Sequence, residues 1–327
     1  MRKKLQTSTH ISSTASKTKV KTSGQAIKLS KSHINKKRKA VSKANIFFWN
    51  IRPRPTLEQL KLLSISIEHY APDIVCIAEG TSSKEKCKKL LKTFEKLKYS
   101  CYYSPLSIKN KSLGLPYKFK PLGLKIFVKD KNIIAEPFSF SDQRANGRII
   151  QIKIKNGKDY DSIIFIHNKA KKGGKEWNDY QRDTLSQLKD MLYVGKAARA
   201  SKRSLILGDF NLEPWDHILR SKVYMNTFFL NNHYSISKRE KKERIYFNPI
   251  SNDLHNSKIT NLGGTFYSNS DGWALFDFVL YDKDESKINY EIIKSIGKID
   301  ILNNNATQTK SFLNFDFDHL PILVTLK

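Results

Sequence analysis

The apolar positions of this chain fall into short, dense runs separated by polar, turn-forming stretches. The first run, Ile46-Phe47-Phe48-Trp49-Asn50-Ile51, has strand length and no alternation, as expected of a strand covered on both faces. Pro53 and Pro55 break it. Leu57, Leu60, Leu63, Ile65 and Ile67 then fall within a predicted helix over 56–70, with Thr56 as N-cap. Pro72-Asp73 turns the chain into a second buried strand over 74–78, and a Lys-rich helix is predicted over 83–97.

From residue 100 the character changes. The segments 100–104, 123–129, 133–139, 148–154 and 162–167 are short and apolar or alternating, with turn pairs such as Lys129-Asp130 and Asn156-Gly157 between them, and they predict an antiparallel meander. A long helix is predicted over 175–196, followed by another buried strand over 204–208. The polar stretch 221–262 predicts a loop-rich region, and strands return at 276–281, 290–296 and 322–326. Strands in both halves, each with its own helices, predict an α/β fold of two sheets packed face to face with helices outside.

Composition alters this picture at one end. Residues 1–43 contain 13 Lys and Arg and no acidic residue, with few apolar positions. Such a segment cannot bury enough surface to offset its ordering entropy, so it is predicted to be a disordered basic arm ahead of a folded domain over 44–327. The whole chain of 327 residues has 59 basic and 30 acidic residues, a net charge of +29; beyond the arm 46 basic residues face 30 acidic ones, still +16. A surface this basic attracts polyanions, nucleic acid first and anionic membrane second. Cys76, Cys87 and Cys101 show no paired or metal-ligand spacing, which predicts a reducing compartment. No run approaches a membrane span, and the basic start has no apolar stretch behind it to make a secretory signal. An intracellular, cytoplasmic location is expected, with nuclear or organellar targeting by the basic start left open; no protein partner is evident.

Polar residues gather at strand ends: Asn50, Glu79, His167, Asp209 with Asn211, Asp277, and Asp318-His319. On the rim of a sheet such residues can converge on a cleft. A hard cation such as Mg²⁺ takes oxygen ligands, usually one or two carboxylates, and leaves room for water and phosphate. Glu79, Asp318 and the amide oxygen of Asn50 suit that need, while Asp209 and His319 suit the orientation of water and the stabilisation of a phosphoryl oxygen.

These residues carry a resemblance. Gly208-Asp209-Phe210-Asn211 matches the GDFN signature of the endonuclease/exonuclease/phosphatase superfamily, and Phe317-Asp318-His319-Leu320-Pro321 resembles its SDHxP motif. Trp49-Asn50 resembles the opening WN motif, Asp73–Glu79 the strand that ends in the metal-binding Glu, and Phe276–Leu280 the RxDYxL-type strand. Arg148-Ile149-Ile150 and Ile163–His167 resemble the Arg and His strands of the deoxyribonuclease I branch. The order is kept from Asn45 to Leu326.

The resemblance implies a deoxyribonuclease I-like two-sheet sandwich with a Mg²⁺ cleft, Mn²⁺ being an alternative ion. Glu79 would bind the metal with Asn50 and Asp318; Asp209 would activate the water; Asn211 would hold water or phosphate. His319, with Asp277 on its other ring nitrogen, and His167 would act at the phosphate, and Arg148 would clamp it. Lys169, Lys171 and Lys172, flanking His167, would meet the substrate backbone, and Trp177, Trp215, Tyr246 and Trp273 are candidates for stacking on bases. The sequence departs from the pattern at Phe317, where Ser is usual, at Ala78, and at Gly80, which is expected to loosen the loop after Glu79. A Mg²⁺-dependent nuclease acting on DNA or RNA is the reading favoured by charge. A phosphatase or phospholipase acting on inositol phosphates or lipid head groups, and a non-catalytic nucleic-acid binder, remain the alternatives.

Overall fold

The computed structural model describes residues 43–80, 83–103, 123–130, 148–154, 162–170, 179–193, 204–221, 225, 227–228, 246–249, 265–268, 272–281, 288–301 and 317–327. Residues 1–42 of the predicted basic arm, the segment 133–139, Lys171, Lys172 and Trp177 lie outside them. In chain order the elements are β1 (Ala44–Asn50), α1 (Leu57–Tyr70), β2 (Ile74–Ala78), α2 (Lys84–Lys96), β3 (Ser100–Tyr103), β4 (Lys125–Val128), β5 (Ile149–Lys153), β6 (Ser162–His167), α3 (Asp179–Tyr193), β7 (Ser204–Asp209), α4 (His217–Arg220), β8 (Thr227–Phe228), β9 (Tyr246–Phe247), β10 (Phe266–Ser268), β11 (Gly272–Ala274), β12 (Asp277–Tyr281), β13 (Ile288–Ile292), β14 (Ser295–Ile296), β15 (Ile299–Asp300) and β16 (Ile322–Leu326).

Two six-stranded sheets form the body, ordered β13-β16-β1-β2-β4-β3 and β5-β6-β7-β12-β9-β8; β10-β11 and β14-β15 are small pairs. Side-chain alternation explains why the strands read as unbroken apolar runs. Ile46 and Phe48 of β1, with Cys76 of β2, share one core with Ile163 and Phe165 of β6, Leu205 and Leu207 of β7 and Val279 of β12, the layer between the sheets. The intervening residues, Phe47, Trp49, Val75 and Ile77 on one sheet and Ile164, Ile166, Ile206 and Phe278 on the other, pack with Leu62, Leu63 and Ile67 of α1, Leu90 and Phe94 of α2, and Leu185 and Leu188 of α3. Removing a side chain such as Phe165, fully buried in the middle layer, is expected to cost about 3–5 kcal/mol.

The helix ends follow from local chemistry. Thr56 Oγ1 accepts from Gln59 N at 3.2 Å while Gln59 Oε1 accepts from Thr56 N at 2.7 Å, a reciprocal cap that starts α1 where the sequence predicts it. Ser83 Oγ accepts from Lys86 N at the start of α2.

Two expectations need correction. The predicted meander is two hairpins in different sheets: β3 and β4 pair in the first, β5 and β6 in the second. The outer edge of β4 is taken by β2, and that of β6 by β7. Strand propensity marks the hairpins but not these long-range neighbours. The strand predicted over 290–296 instead ends at Ile292; Ile293 N donates to Pro321 O, and Ser295-Ile296 pairs with β15.

Candidate active site

Topology brings the polar strand ends to one edge. β1 and β2 run parallel with Asn50 opposite Ala78, so Asn50 and Glu79 emerge at the same end. β16 is antiparallel to β1, with Ile322 opposite Phe48, so Asp318-His319 enter at that end too. In the second sheet His167 is the register partner of Asp209 across the parallel pair β6–β7, and Asp277 is the partner of Asp209 across the antiparallel pair β7–β12. Side chains in register share a face. Three acid–base groups far apart in sequence thus stand in one row.

Hydrogen bonds join the two sheets at this edge. Asn50 Nδ2 donates to Asp209 Oδ2 at 3.0 Å, and Asn211 N donates to Asp209 Oδ1 at 2.8 Å, so both oxygens of the buried Asp209 are oriented. His167 Nε2 lies 3.4 Å from Glu79 Oε1 and 3.8 Å from Asp209 Oδ2. His319 Nδ1 lies 2.7 Å from Asp277 Oδ2. The ligand-type atoms of Asp209, Asp277 and His319 fall within 4.8 Å of one another, all three residues buried. Trp49 Nε1 donates to His319 O at 2.9 Å, and Phe317 packs on the Trp49 ring with centroids 4.4 Å apart. The phenyl group that replaces the usual Ser is therefore a buried wedge holding the loop that carries Asp318 and His319.

The backbone is strained where it serves the site. Among the described residues, the non-glycine positions with left-handed φ are Arg52 (65°), Ala71 (41°), Glu79 (58°), Lys98 (63°) and Asn211 (49°). Ala71 and Lys98 follow helix ends, whereas Arg52, Glu79 and Asn211 surround the polar row. Gly208 has φ +147°, and a Cβ there would stand 1.9 Å from Ile166 O, so glycine lets β7 lie against β6 just before Asp209. Gly80 (φ +70°) is buried and donates its N–H to Arg52 O at 2.8 Å. It pins the turn after Glu79 rather than loosening it.

Burial and charge set the protonation of the pocket. For Glu79 burial is the largest influence and pushes the carboxyl up, but the hydrogen bond and charge of His167, with His319 and Lys125, outweigh it, and the net direction is down. Burial pushes Asp277 up. On His319 burial acts downward first, yet the charge of Asp277 and the hydrogen bond to it prevail, and the imidazole is held well above its ordinary range.

Arg148 Nη1 donates to the carbonyls of His167 (3.0 Å) and Asn168 (3.1 Å), bracing the end of β6 beside the row. Burial lowers its pKa against the charges of Glu79 and Asp209. Lys169 is half-buried, with its N–H on Asn168 Oδ1. Asp318 Oδ2 pairs with Arg52 Nε at 2.8 Å. Tyr246 is fully buried in the core and is no platform for a base, whereas Trp215 is 46% exposed.

Four residues escape the sequence reading. Gln181 Nε2 donates to Lys169 O and Asn211 O, Asn211 Nδ2 donates to Asn168 O, and together they tie α3 to the GDFN loop. Lys125 is wholly buried under Glu79 and donates from Nζ to the carbonyls of Glu79 and Gly123. Arg52 follows Asn50 by two residues; a positive charge close to the Trp49-Asn50 motif is its only signal.

A divalent cation fits the residues present. Asp318 Oδ1 and Asp277 Oδ1 are buried acceptors without a hydrogen-bond partner, a costly state that a cation relieves for Asp318. Asn50 Oδ1 accepts one bond, from Arg52 N at 3.3 Å, and keeps a second lone pair. The donor set is all oxygen, as hard cations prefer.

The sandwich and its polar edge define the fold of the endonuclease/exonuclease/phosphatase superfamily, deoxyribonuclease I-like. Solved structures of other proteins share it. The human Nocturnin catalytic domain with bound sulfate anion is 17% identical, with 88% of this chain and 94% of that chain covered at a TM-score of 0.52. The D. rerio TDP2 complexed with single strand DNA product is 16% identical, with 88% and 99% covered at 0.50. No protein-family model matches the sequence, and no curated protein matches it.

Proposed function

We propose that the protein is a Mg²⁺-dependent phosphodiesterase whose substrate is DNA or RNA. The observation that carries this reading is the convergence of Glu79, His167, Asp209, Asp277 and His319 from both sheets on one edge, with Asn50 bridging the sheets through Asp209. Glu79, Asn50 Oδ1 and Asp318 Oδ1 would hold the ion. When bound, the ion supplies neutralisation of the charge that builds on the phosphoryl oxygens.

The chain's own residues do the rest. Asp209, fixed by Asn50 and Asn211, accepts a proton from the attacking water. A P–O bond forms to that water as the P–O3′ bond on the opposite side breaks, leaving 3′-hydroxyl and 5′-phosphate ends; the departing oxygen takes its proton from solvent. Asp277 accepts from Nδ1 of His319 and favours the doubly protonated ring, so the imidazolium presents Nε2–H to a phosphoryl oxygen with its ring plane set before substrate arrives. His167, set against Glu79 and Asp209, stands at the second phosphoryl oxygen, and Arg148 and Lys169 border the same place.

The charge of +16 beyond the basic arm supports a polyanionic substrate over a small phosphoester, and the D. rerio TDP2 of similar fold was crystallised with a single-strand DNA product. No helix among the described residues is long and apolar enough to cross a membrane. Lys171 and Lys172, which follow Lys169 in the sequence, would add charge for a polyanionic substrate, and the basic residues of the arm would add non-specific attraction.

The test is incubation of purified protein with plasmid, single-stranded DNA, RNA and abasic duplex, each with Mg²⁺ or with EDTA. Metal-dependent cleavage of at least one, lost in Asp209→Asn and His319→Ala with folding intact, is expected. Turnover of a phosphoinositide or sphingomyelin with none of the nucleic acids would overturn the substrate assignment, and wild-type rates in either variant would overturn the mechanism.

A further inference from the structure

We propose that Arg52 is a substrate-binding residue whose free guanidinium edge grips a phosphodiester oxygen beside Asp318. The inference rests on the phosphodiesterase reading and adds to it a residue outside every motif of the site.

Three contacts fix Arg52 from three directions. Its backbone N–H donates to Asn50 Oδ1 at 3.3 Å, its carbonyl accepts from Gly80 N at 2.8 Å, and its Nε pairs with Asp318 Oδ2 at 2.8 Å. It is thus tied to the last residue of β1, the residue after Glu79 and the residue before His319. The backbone adopts φ +65°, a conformation unfavourable for a residue with a Cβ. An ion pair with the arginine side chain 44% exposed contributes little to stability. Strain at this position is therefore not explained by the pair it makes.

Function explains it better. Glu79, Asp209, Asp277 and Asp318 place four carboxyl groups at this edge, and a phosphodiester carries negative charge into them. Two further cations near the cluster, among the described residues, face inward: Arg148 Nη1 is spent on two carbonyls, and Lys125 is wholly buried. Arg52 uses Nε for Asp318, and its two terminal nitrogens make no hydrogen bond to any described residue. They form a planar pair of donors on a side chain that is 44% exposed and held by Asp318, which suits two oxygens of one phosphate. Asp318 then serves the substrate as well as the ion, through its two different oxygens.

The experiment measures binding of a fluorescein-labelled (dT)20 oligonucleotide in EDTA, by anisotropy over a range of NaCl, for wild type, Arg52→Gln, Arg52→Lys and Asp318→Asn, and for Arg52→Gln combined with Asp318→Asn. One lost phosphate contact lowers the slope of log K against log salt by about 0.7. Arg52→Gln is expected to show that change with weaker binding, and Arg52→Lys to recover the slope while binding more weakly than wild type for want of the fork. If Arg52 touches substrate directly, the slope also falls when Arg52→Gln is made on top of Asp318→Asn; if it acts only by neutralising Asp318, that step changes nothing and the proposal fails. It fails as well if Arg52→Gln alone binds as wild type does. Absence of salt-dependent binding and of cleavage in the wild type would instead remove the nucleic-acid reading, and this proposal with it.

Discussion

Asp277 Oδ2 and His319 Nδ1 lie 2.7 Å apart in a pocket where both side chains are almost wholly buried. The bond engages Nδ1 and leaves Nε2 as the nitrogen for substrate in the proposed mechanism. His319→Ala is expected to lower kcat by about 10²–10⁴-fold, and Asp277→Asn to fall in the same range because the amide no longer stabilises the imidazolium. KM should move little in either. The double variant should lose no more than the worse single one, since the two act as a unit. Steady-state kinetics on the three proteins checks this; multiplied losses would mean independent roles.

The proposed ion ligands predict a stability effect as well as an activity. Whatever binds only the folded state stabilises it, by about 2.7 kcal/mol at a hundred times Kd. Saturating Mg²⁺ should raise Tm by several degrees, and EDTA should reverse the rise and abolish cleavage. Glu79→Gln should lose both the rise and the cleavage. His319→Ala should lose the cleavage and keep the rise, because its imidazole is not among the proposed ligands. Calorimetric melts of the three proteins with and without the ion separate the two roles.

Much of this was legible in the residues because it is local. Runs of buried strand length, the Thr56 cap and the polar residue closing each strand are written within a few positions of one another. The assignment of hairpins to sheets was not, since β4 joins β2 and β6 joins β7 through contacts that no local alternation encodes. Lys125 was hidden for a similar reason. It sits in an otherwise apolar strand, and its purpose appears only through Ile77 opposite it, two residues before Glu79. Tyr246 shows the converse error: a Tyr in a polar stretch looks available, but the short strand β9 carries it into the core.

Gly208 should tolerate no side chain. A Cβ at this position would overlap Ile166 O, a backbone atom of the neighbouring strand that cannot swing aside. Gly208→Ala is expected to cost about 3 kcal/mol or more and to displace Asp209, so that activity falls further than stability. Gly297→Ala is the control. Its φ is also left-handed, +61°, but a Cβ there meets nothing within 4 Å, and the cost should be about 1–2 kcal/mol of backbone strain alone. Equal losses in chemical denaturation would mean that φ, not the contact with β6, sets the requirement.

Lys125 makes a prediction in pH. Burial pushes its ammonium down to about 8, against the raising influences of Cys87, Glu79 and Cys76, while the unfolded chain keeps a lysine near ~10.4. Between those values the unfolded state binds a proton that the folded state has released, so stability from this group rises with pH across that window and is at its lowest below it. Lys125→Met removes the titration. The unfolding free energy of wild type minus that of the variant should therefore climb from pH 8 to pH 10.5, by at most about 3 kcal/mol, the remaining lysines and tyrosines cancelling in the difference. The same variant leaves the carbonyl of Glu79 without its Nζ donor. With φ at +58°, Glu79 then has less to hold its strained backbone, and Mg²⁺ affinity should fall several-fold at neutral pH. A flat difference curve together with unchanged affinity would make Lys125 a passive filler of the core.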